Sequence, residues 1–208
     1  MAGDPNPAPS TLLRRAISLD TSLSLRLHTL CLPIPRSLLK ALEISGDGRF
    51  WFPIPIALLY FYYQPFSPLL LPLLLGSLLD LLLVGLIKTL VRRPRPVYNK
   101  GMTLVVSVDH WSFPSGHSSR VSFLAAFLYL HSSSPLFLEA SKRVLVRCGG
   151  GGGGGGEAGD LLVHAVTLWA AATSGSRVLL GRHFLLDVLA GACLGVVEAL
   201  LVYHFLKF

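Results

Sequence analysis

Two histidines and a set of basic side chains carry the candidate chemistry of this sequence. They lie in three clusters: Lys88-Thr-Leu-Val-Arg92-Arg93-Pro94-Arg95-Pro96, Pro114-Ser115-Gly116-His117-Ser118-Ser119-Arg120, and Ser176-Arg177 followed by Arg182-His183 and Asp187. Lys88, Arg95 and Arg177 are cations able to neutralise a phosphate and the charge spread over its oxygens in a phosphoryl-transfer transition state. The arginines offer a planar fork of donors and the lysine a point charge. Ser115-Gly116-His117, at a predicted helix start, presents unpaired backbone N–H groups to an anion, and Gly116 permits close approach. His183 and Asp187 stand four residues apart. On a helix they share a face, so the carboxylate would hold one imidazole nitrogen and leave the other free to attack. His117 is then the candidate general acid for the leaving oxygen. Arg182, beside the nucleophile, is a candidate for a second phosphate. No carboxylate-rich cluster with metal-ligand spacing accompanies these residues, so the predicted chemistry uses neither metal nor cofactor.

Each cluster alone has an ordinary reading. The first could be a positively charged flank of a membrane span, the second a turn capping a helix, and the third a structural i,i+4 pair. Their complementary roles favour a site, provided that the chain brings them together. Long apolar stretches do so. About 20 apolar residues suffice to cross a bilayer, and the pattern predicts five spans: 50–66, 69–90, 118–138, 161–180 and 184–206. The first cluster ends span two, the second begins span three, and the third joins spans four and five. An even number of crossings separates them, so all three meet at one membrane face, the expected place for a polar site.

Composition supports a membrane protein. Hydrophobic residues make up 52% of the 208 and charged residues 14%, too few charges to cover a soluble surface of this size. The net charge of +7 fits cytosolic loops, anionic headgroups and phosphates. Nucleic-acid binding is not expected, because no basic stripe interleaves with aromatics. The cysteines, Cys31, Cys148 and Cys193, suggest neither a zinc site nor a disulfide framework. No secretory signal peptide is evident; Arg14, Arg15 and the serines are compatible with a transit peptide, against which Asp4 and Asp20 argue.

Residues 1–10 are predicted to be a disordered tail. Residues 11–48 set leucines against Arg14, Arg15, Arg26, Arg36 and Lys40 with a break at Pro33 and Pro35. They read as two amphipathic helices lying on the bilayer surface or packed on the bundle. Residues 49–208 form the transmembrane domain. Within it, 148–159 is a glycine-rich flexible loop; no strand precedes it and no Gly-Lys-[Ser/Thr] follows it, so it is not a phosphate cradle. Asp80, two turns before Lys88, needs a polar partner in another span.

The three clusters resemble the signature motifs of the type-2 phosphatidic acid phosphatase (PAP2) superfamily, K-x6-RP, PSGH and SR-x5-H-x3-D. They read here as Lys88-x6-Arg95-Pro96, Pro114-Ser115-Gly116-His117 and Ser176-Arg177-x5-His183-x3-Asp187, and together cover about half the chain. The resemblance implies an all-α membrane bundle without metal. It also implies phosphate binding by Lys88, Arg95, Ser115, Gly116 and Arg177, a phosphohistidine at His183, acid catalysis by His117 and orientation by Asp187. Vanadate-dependent haloperoxidases share the motifs but are not built from membrane spans. Leu42-Glu43-Ile44-Ser45-Gly46, Ser107-Val108-Asp109 and Leu180-Gly181-Arg182-His183, with 17 residues between Pro96 and Pro114, are similar to one small branch. That branch contains the presqualene and polyisoprenoid diphosphate phosphatases and the plant lipid phosphate phosphatase beta. The expected substrate is therefore an isoprenoid diphosphate, with phosphatidate and lysophosphatidate as the alternative and non-catalytic binding of lipid phosphates as a remote third. Nothing in the sequence specifies an oligomeric state. The bias of Arg14, Arg15, Arg26, Arg36, Lys40, Arg49, Arg92, Arg93 and Lys100 over Lys142, Arg143, Arg147 and Lys207 predicts a cytosol-facing site, in the endoplasmic reticulum or else a plastid membrane.

Overall fold

The computed structural model describes residues 11–61, 63–98, 110–147 and 155–206. The expected tail, Lys100, Ser107-Val108-Asp109, Cys148, Lys207 and most of the glycine run lie outside them. Nine helices occur among the described residues: α1 (Thr11–Leu30), α2 (Arg36–Ser45), α3 (Gly48–Trp51), α4 (Pro53–Phe61), α5 (Tyr63–Val91), α6 (Gly116–Leu130), α7 (Pro135–Arg147), α8 (Gly155–Leu179) and α9 (Leu185–Phe205). The fold is all-α, as expected.

Among the described residues two helices are long and apolar enough to cross a membrane, Ser67–Val91 and Leu185–Phe205; a bent pair, α6 with Pro135–Val144, would make a third. Five were expected. The first expected span is divided into α3, α4 and the start of α5. Prolines 53 and 55 suit helix starts rather than interiors, and the nine residues of α4 reach only about 14 Å, half the apolar thickness of a bilayer. The third expected span stops at Leu130, where α6 and α7 bend by 113°. Pro135 cannot continue a helix, and the Ser134 hydroxyl instead accepts from Phe137 N at 3.2 Å, capping α7. Helix α8 has 25 residues but carries Glu157, Asp160, His164, Ser174, Ser176 and Arg177, which lower its apolarity. It also begins at Gly155, so the last part of the expected flexible loop is helical.

Helices α6 and α9 make the central pair. A Cβ at Gly191 would stand 2.4 Å from Ser115 O, and one at Gly195 would stand 2.0 Å from Ser119 O. This small-xxx-small spacing lets the two backbones touch. Around the pair, Leu69, Phe123, Phe127, Phe137, Val163, Ala199 and Val202 form the apolar core. Because a backbone oxygen cannot move aside, Gly195→Ala is expected to destabilise the bundle by at least the ~1–3 kcal/mol typical of overpacking. Gly85→Ala, facing open space, is the control. Thermal midpoints in detergent check this, and equal midpoints would refute the close-packing account.

Asp80 finds the partner it requires: its carboxylate lies 3.3 Å from Arg120 Nη2, joining α5 to α6 inside the bundle. Helix α1 behaves unlike a simple amphipathic helix. Asp20 and Ser24 are its buried residues, while Leu12, Leu19 and Leu30 are more than two-thirds exposed. It turns a polar stripe inward because that stripe bonds the start of α9.

Candidate active site

The chain leaving α5 is folded against the segment that enters α6. Arg93 O accepts from Ser112 N at 2.7 Å, and Pro94 bridges to Trp111. Lys88 Nζ, at the end of α5, donates to Trp111 O at 2.8 Å. The first two clusters are thereby joined before any side chain meets the third. Ser115 then caps α6, which starts at Gly116, as the sequence predicts. Ser115 N donates to Asp187 O at 2.9 Å, fastening this loop to α9.

A tight turn links α8 to α9. Arg182 N and His183 N both donate to Arg177 O, at 2.9 and 3.2 Å. Gly181 has φ +72°, a conformation that L side chains avoid, and a Cβ there would also strike the Tyr98 ring at 2.7 Å. The turn gathers Arg177, Arg182 and His183, all essentially buried.

His183 lies just before α9, not on it, and this corrects the expected helical pairing with Asp187. Its Nδ1 is 3.8 Å from Asp187 Oδ2 and only 2.8 Å from Ser112 O. Its Nε2 is 3.1 Å from Arg95 Nη1. A guanidinium can only donate, so Nε2 accepts and Nδ1 carries the proton to the Ser112 carbonyl. That tautomer leaves a lone pair on Nε2. Burial first, and then the charges of Arg95, Arg177 and Lys88, hold the imidazole well below its ordinary pKa range, so His183 is neutral at physiological pH.

Asp187 works at one remove. Its Oδ2 accepts from Phe184 N at 2.9 Å and from the Ser112 hydroxyl. Its Oδ1 accepts from Arg93 Nη1 at 2.7 Å. The carboxylate therefore braces the start of α9 and the residue whose carbonyl holds His183. His117, the candidate acid, is half-buried near the start of α6, and its enclosed Nε2 has no hydrogen-bond partner among the described residues.

Four residues of this arrangement escaped the sequence reading as site residues: Ser112, Arg93, Asp20 and Glu43. Arg93 Nη2 pairs with Asp20 Oδ2 at 2.6 Å, and its guanidinium stands 4.1 Å from the centre of the Phe184 ring. Asp20 Oδ1 also accepts from Leu186 N at 3.0 Å, and Ser24 Oγ from Leu185 N at 2.8 Å, so α1 caps α9 directly. Glu43, on α2, pairs with Arg177 Nη1 at 2.5 Å and Arg182 Nε at 3.1 Å. One signal was present. Asp20 and Glu43 are the only acids between residues 11 and 46, in a segment whose other charged side chains are all basic. Among the described residues no group of three His, Cys, Asp or Glu side chains is placed to hold a metal ion.

The profile of the PAP2 superfamily matches residues 69–208. The chain is 40% identical to "Probable lipid phosphate phosphatase beta" of Arabidopsis thaliana, over 98% of this chain and 96% of that protein. It is 29% identical to "Phosphatidylglycerophosphatase B" of Bacillus subtilis, over 77% of this chain and 70% of that protein. In fold it is similar to the crystal structure of a transmembrane PAP2-type phosphatidylglycerolphosphate phosphatase from Bacillus subtilis, with TM-score 0.71 and 24% identity, over 92% of this chain and 86% of that one. It is also similar to Aquifex aeolicus LpxE, with TM-score 0.63 and 23% identity, over 90% and 96% of the two chains.

Proposed function

The chain belongs to the PAP2 superfamily and is a lipid phosphate phosphatase of the membrane, and we propose from that premise that it hydrolyses its substrate through a phosphohistidine on His183. The observation that carries this reading is the placement of the His183 nitrogens. Nδ1–H is committed to Ser112 O, and Nε2 carries the lone pair, which accepts from Arg95 until a substrate phosphate draws that guanidinium to its own oxygens. Nε2 attacks phosphorus, the lipid–oxygen bond to phosphorus breaks, and His117 gives its proton to the departing lipid oxygen. Water then attacks the phosphohistidine, His117 takes back a proton, and orthophosphate leaves. Lys88, Arg95 and Arg177 stabilise the equatorial oxygens in both steps, with Ser115 and Gly116 presenting the start of α6 to the phosphate.

A phosphate monoester of a glycerolipid, of the phosphatidate type, is the first substrate reading, supported by the names of the curated relatives. Isoprenoid diphosphates are the second, favoured by Arg182 standing next to His183, where it could reach a further phosphate. Purified protein offered phosphatidate, farnesyl phosphate and farnesyl diphosphate in matched micelles tests both. Phosphate release from none of them would remove the proposal. Full activity is expected in excess chelator, with inhibition by orthovanadate, whose five-coordinate form mimics the transition state. Activity lost in chelator and restored by magnesium would refute the metal-free mechanism.

We also propose that α1 and α2 lie at the bilayer surface and that the site faces the cytosol, on the loop-charge bias. Glycosylation acceptor sites inserted into the N-terminal tail and into the glycine run report the orientation. Modification of the tail but not of the run would place the site in the lumen instead.

A further inference from the structure

Glu43 stands near the end of α2, outside the residues matched by the family profile, yet its carboxylate joins two buried guanidinium groups of the site. Oε1 meets Arg177 Nη1 at 2.5 Å and Arg182 Nε at 3.1 Å, and Oε2 meets Arg182 Nη2 at 3.3 Å. The carboxylate is the outer member of this group: its side chain is 18% exposed, against 1% for Arg177 and 2% for Arg182. The same contacts extend inward, because the Arg182 carbonyl accepts from Arg95 Nη1 at 2.7 Å, and that nitrogen also reaches His183 Nε2. Glu43 therefore touches Arg177 directly and steadies Arg95 through the Arg182 backbone.

An ion pair that merely ties α2 to α8 is the ordinary account of such contacts. Two features go beyond it. Arg177 is the arginine that the proposed reaction assigns to the substrate phosphate, and carboxylate and phosphate call on the same guanidinium donors. The charges also balance in an informative way. Lys88, Arg93, Arg95, Arg177 and Arg182 are five cations, and Asp20, Glu43 and Asp187 are three anions. Two positive charges remain, the complement of a doubly charged phosphate. Burial pushes the Glu43 carboxyl up, but Arg177 and Arg182 outweigh it and hold the group below the usual carboxylate range, so it is charged at neutral pH.

We propose that Glu43 is a positioning residue that keeps Arg177 and Arg182 ordered between turnovers and competes with the phosphate for Arg177, so that the phosphate is bound firmly enough to react and weakly enough to leave. This rests on the proposed role of Arg177 in holding the phosphate. Ordering the arginines lowers the reorganisation needed when substrate arrives. The competing charge speeds departure of the orthophosphate product.

Glu43→Gln keeps the shape and removes the charge. Orthophosphate binding, measured by calorimetry on the detergent-solubilised full chain, is expected to tighten about tenfold, the scale for removing one like charge from the edge of such a site. KM and kcat are both expected to fall, kcat because product lingers. A purely structural ion pair predicts a lower thermal midpoint with orthophosphate affinity unchanged or weakened, and that result would overturn the proposal. Should Glu43→Gln fail to accumulate in membranes, Glu43→Asp retains the charge on a shorter arm. Its orthophosphate affinity is expected within about threefold of wild type, with lower kcat from poorer ordering; tenfold tightening there would equally overturn the proposal. The calorimetry requires no turnover. A failure of the phosphohistidine mechanism, seen as turnover by His183→Ala, is thus distinguishable from a failure of Glu43 to compete with phosphate.

Discussion

His183→Ala is expected to yield a folded, membrane-inserted protein whose turnover is lower by at least about four orders of magnitude, since loss of a nucleophile leaves only the residual catalysis of binding and charge stabilisation. The imidazole is buried and makes its bonds to Ser112 O and Arg95 Nη1, not to the helix packing that supports the bundle. Its loss therefore removes chemistry before it removes structure. The direct test is an acid-sensitive phosphoenzyme. Wild type mixed with lipid carrying labelled phosphate and quenched within a turnover should retain label that survives base and is released by acid. The alanine variant should retain none. Label on the variant, or turnover within tenfold of wild type, would assign the nucleophile elsewhere. Orthophosphate binding by the variant provides the control for folding, because Lys88, Arg95 and Arg177 remain.

Asp187→Asn carries the second large effect, a loss of about 10²- to 10⁴-fold in turnover, the range seen when a group that fixes a catalytic histidine is made neutral. Asp187 accepts three hydrogen bonds, from Phe184 N, Ser112 Oγ and Arg93 Nη1. An asparagine can accept on one oxygen only and must turn its NH₂ toward a donor. Either Arg93 or the Ser112 loop then loses its anchor, and the carbonyl that holds His183 Nδ1 shifts with it. Ser112→Ala separates this indirect bracing from direct contact between carboxylate and imidazole. It keeps the carbonyl and removes the hydroxyl, so a smaller loss of about tenfold is expected, the order of one hydrogen bond. No effect of Ser112→Ala beside a large effect of Asp187→Asn would mean that Asp187 holds the imidazole itself in the reacting complex.

Much of this protein was legible because its chemistry is written in short segments. Lys88 and Arg95 share one helix end and the loop after it. Ser115 caps the helix that begins at Gly116, and Arg177 and His183 sit on the same turn. Local spacing and capping rules act over a few residues, so they name such residues without knowledge of the fold. Apolar content likewise announced α5 and α9, whose long runs have no stable place in water. Where the pattern was interrupted, composition did not show the breaks: the aromatic stretch before α5 and the stretch from 118 to 138 are apolar, but Pro53, Pro55 and Pro135 divide them into shorter helices.

What only the tertiary structure decided is how the site is held. Glu43 meets Arg177 across 134 positions of sequence, and Asp20 meets the start of α9 across 166. Neither pairing has a spacing rule, because each depends on how α1 and α2 dock on helices far along the chain. The same cause leaves Asp187 Oδ2 3.8 Å from His183 Nδ1, too long for a hydrogen bond. A four-residue interval implies contact only where a helix includes both residues, and α9 begins at Leu185, one residue beyond Phe184. The imidazole consequently turns toward Ser112 O, whose position is set by the pairing of two loops that the sequence separates by an entire segment. Residue types and short spacings thus determined which groups are the candidates to react. Long-range docking of α1, α2 and the segment before α6 determined their orientation, because a buried guanidinium or imidazole takes its direction from whatever partner the fold brings within hydrogen-bond reach.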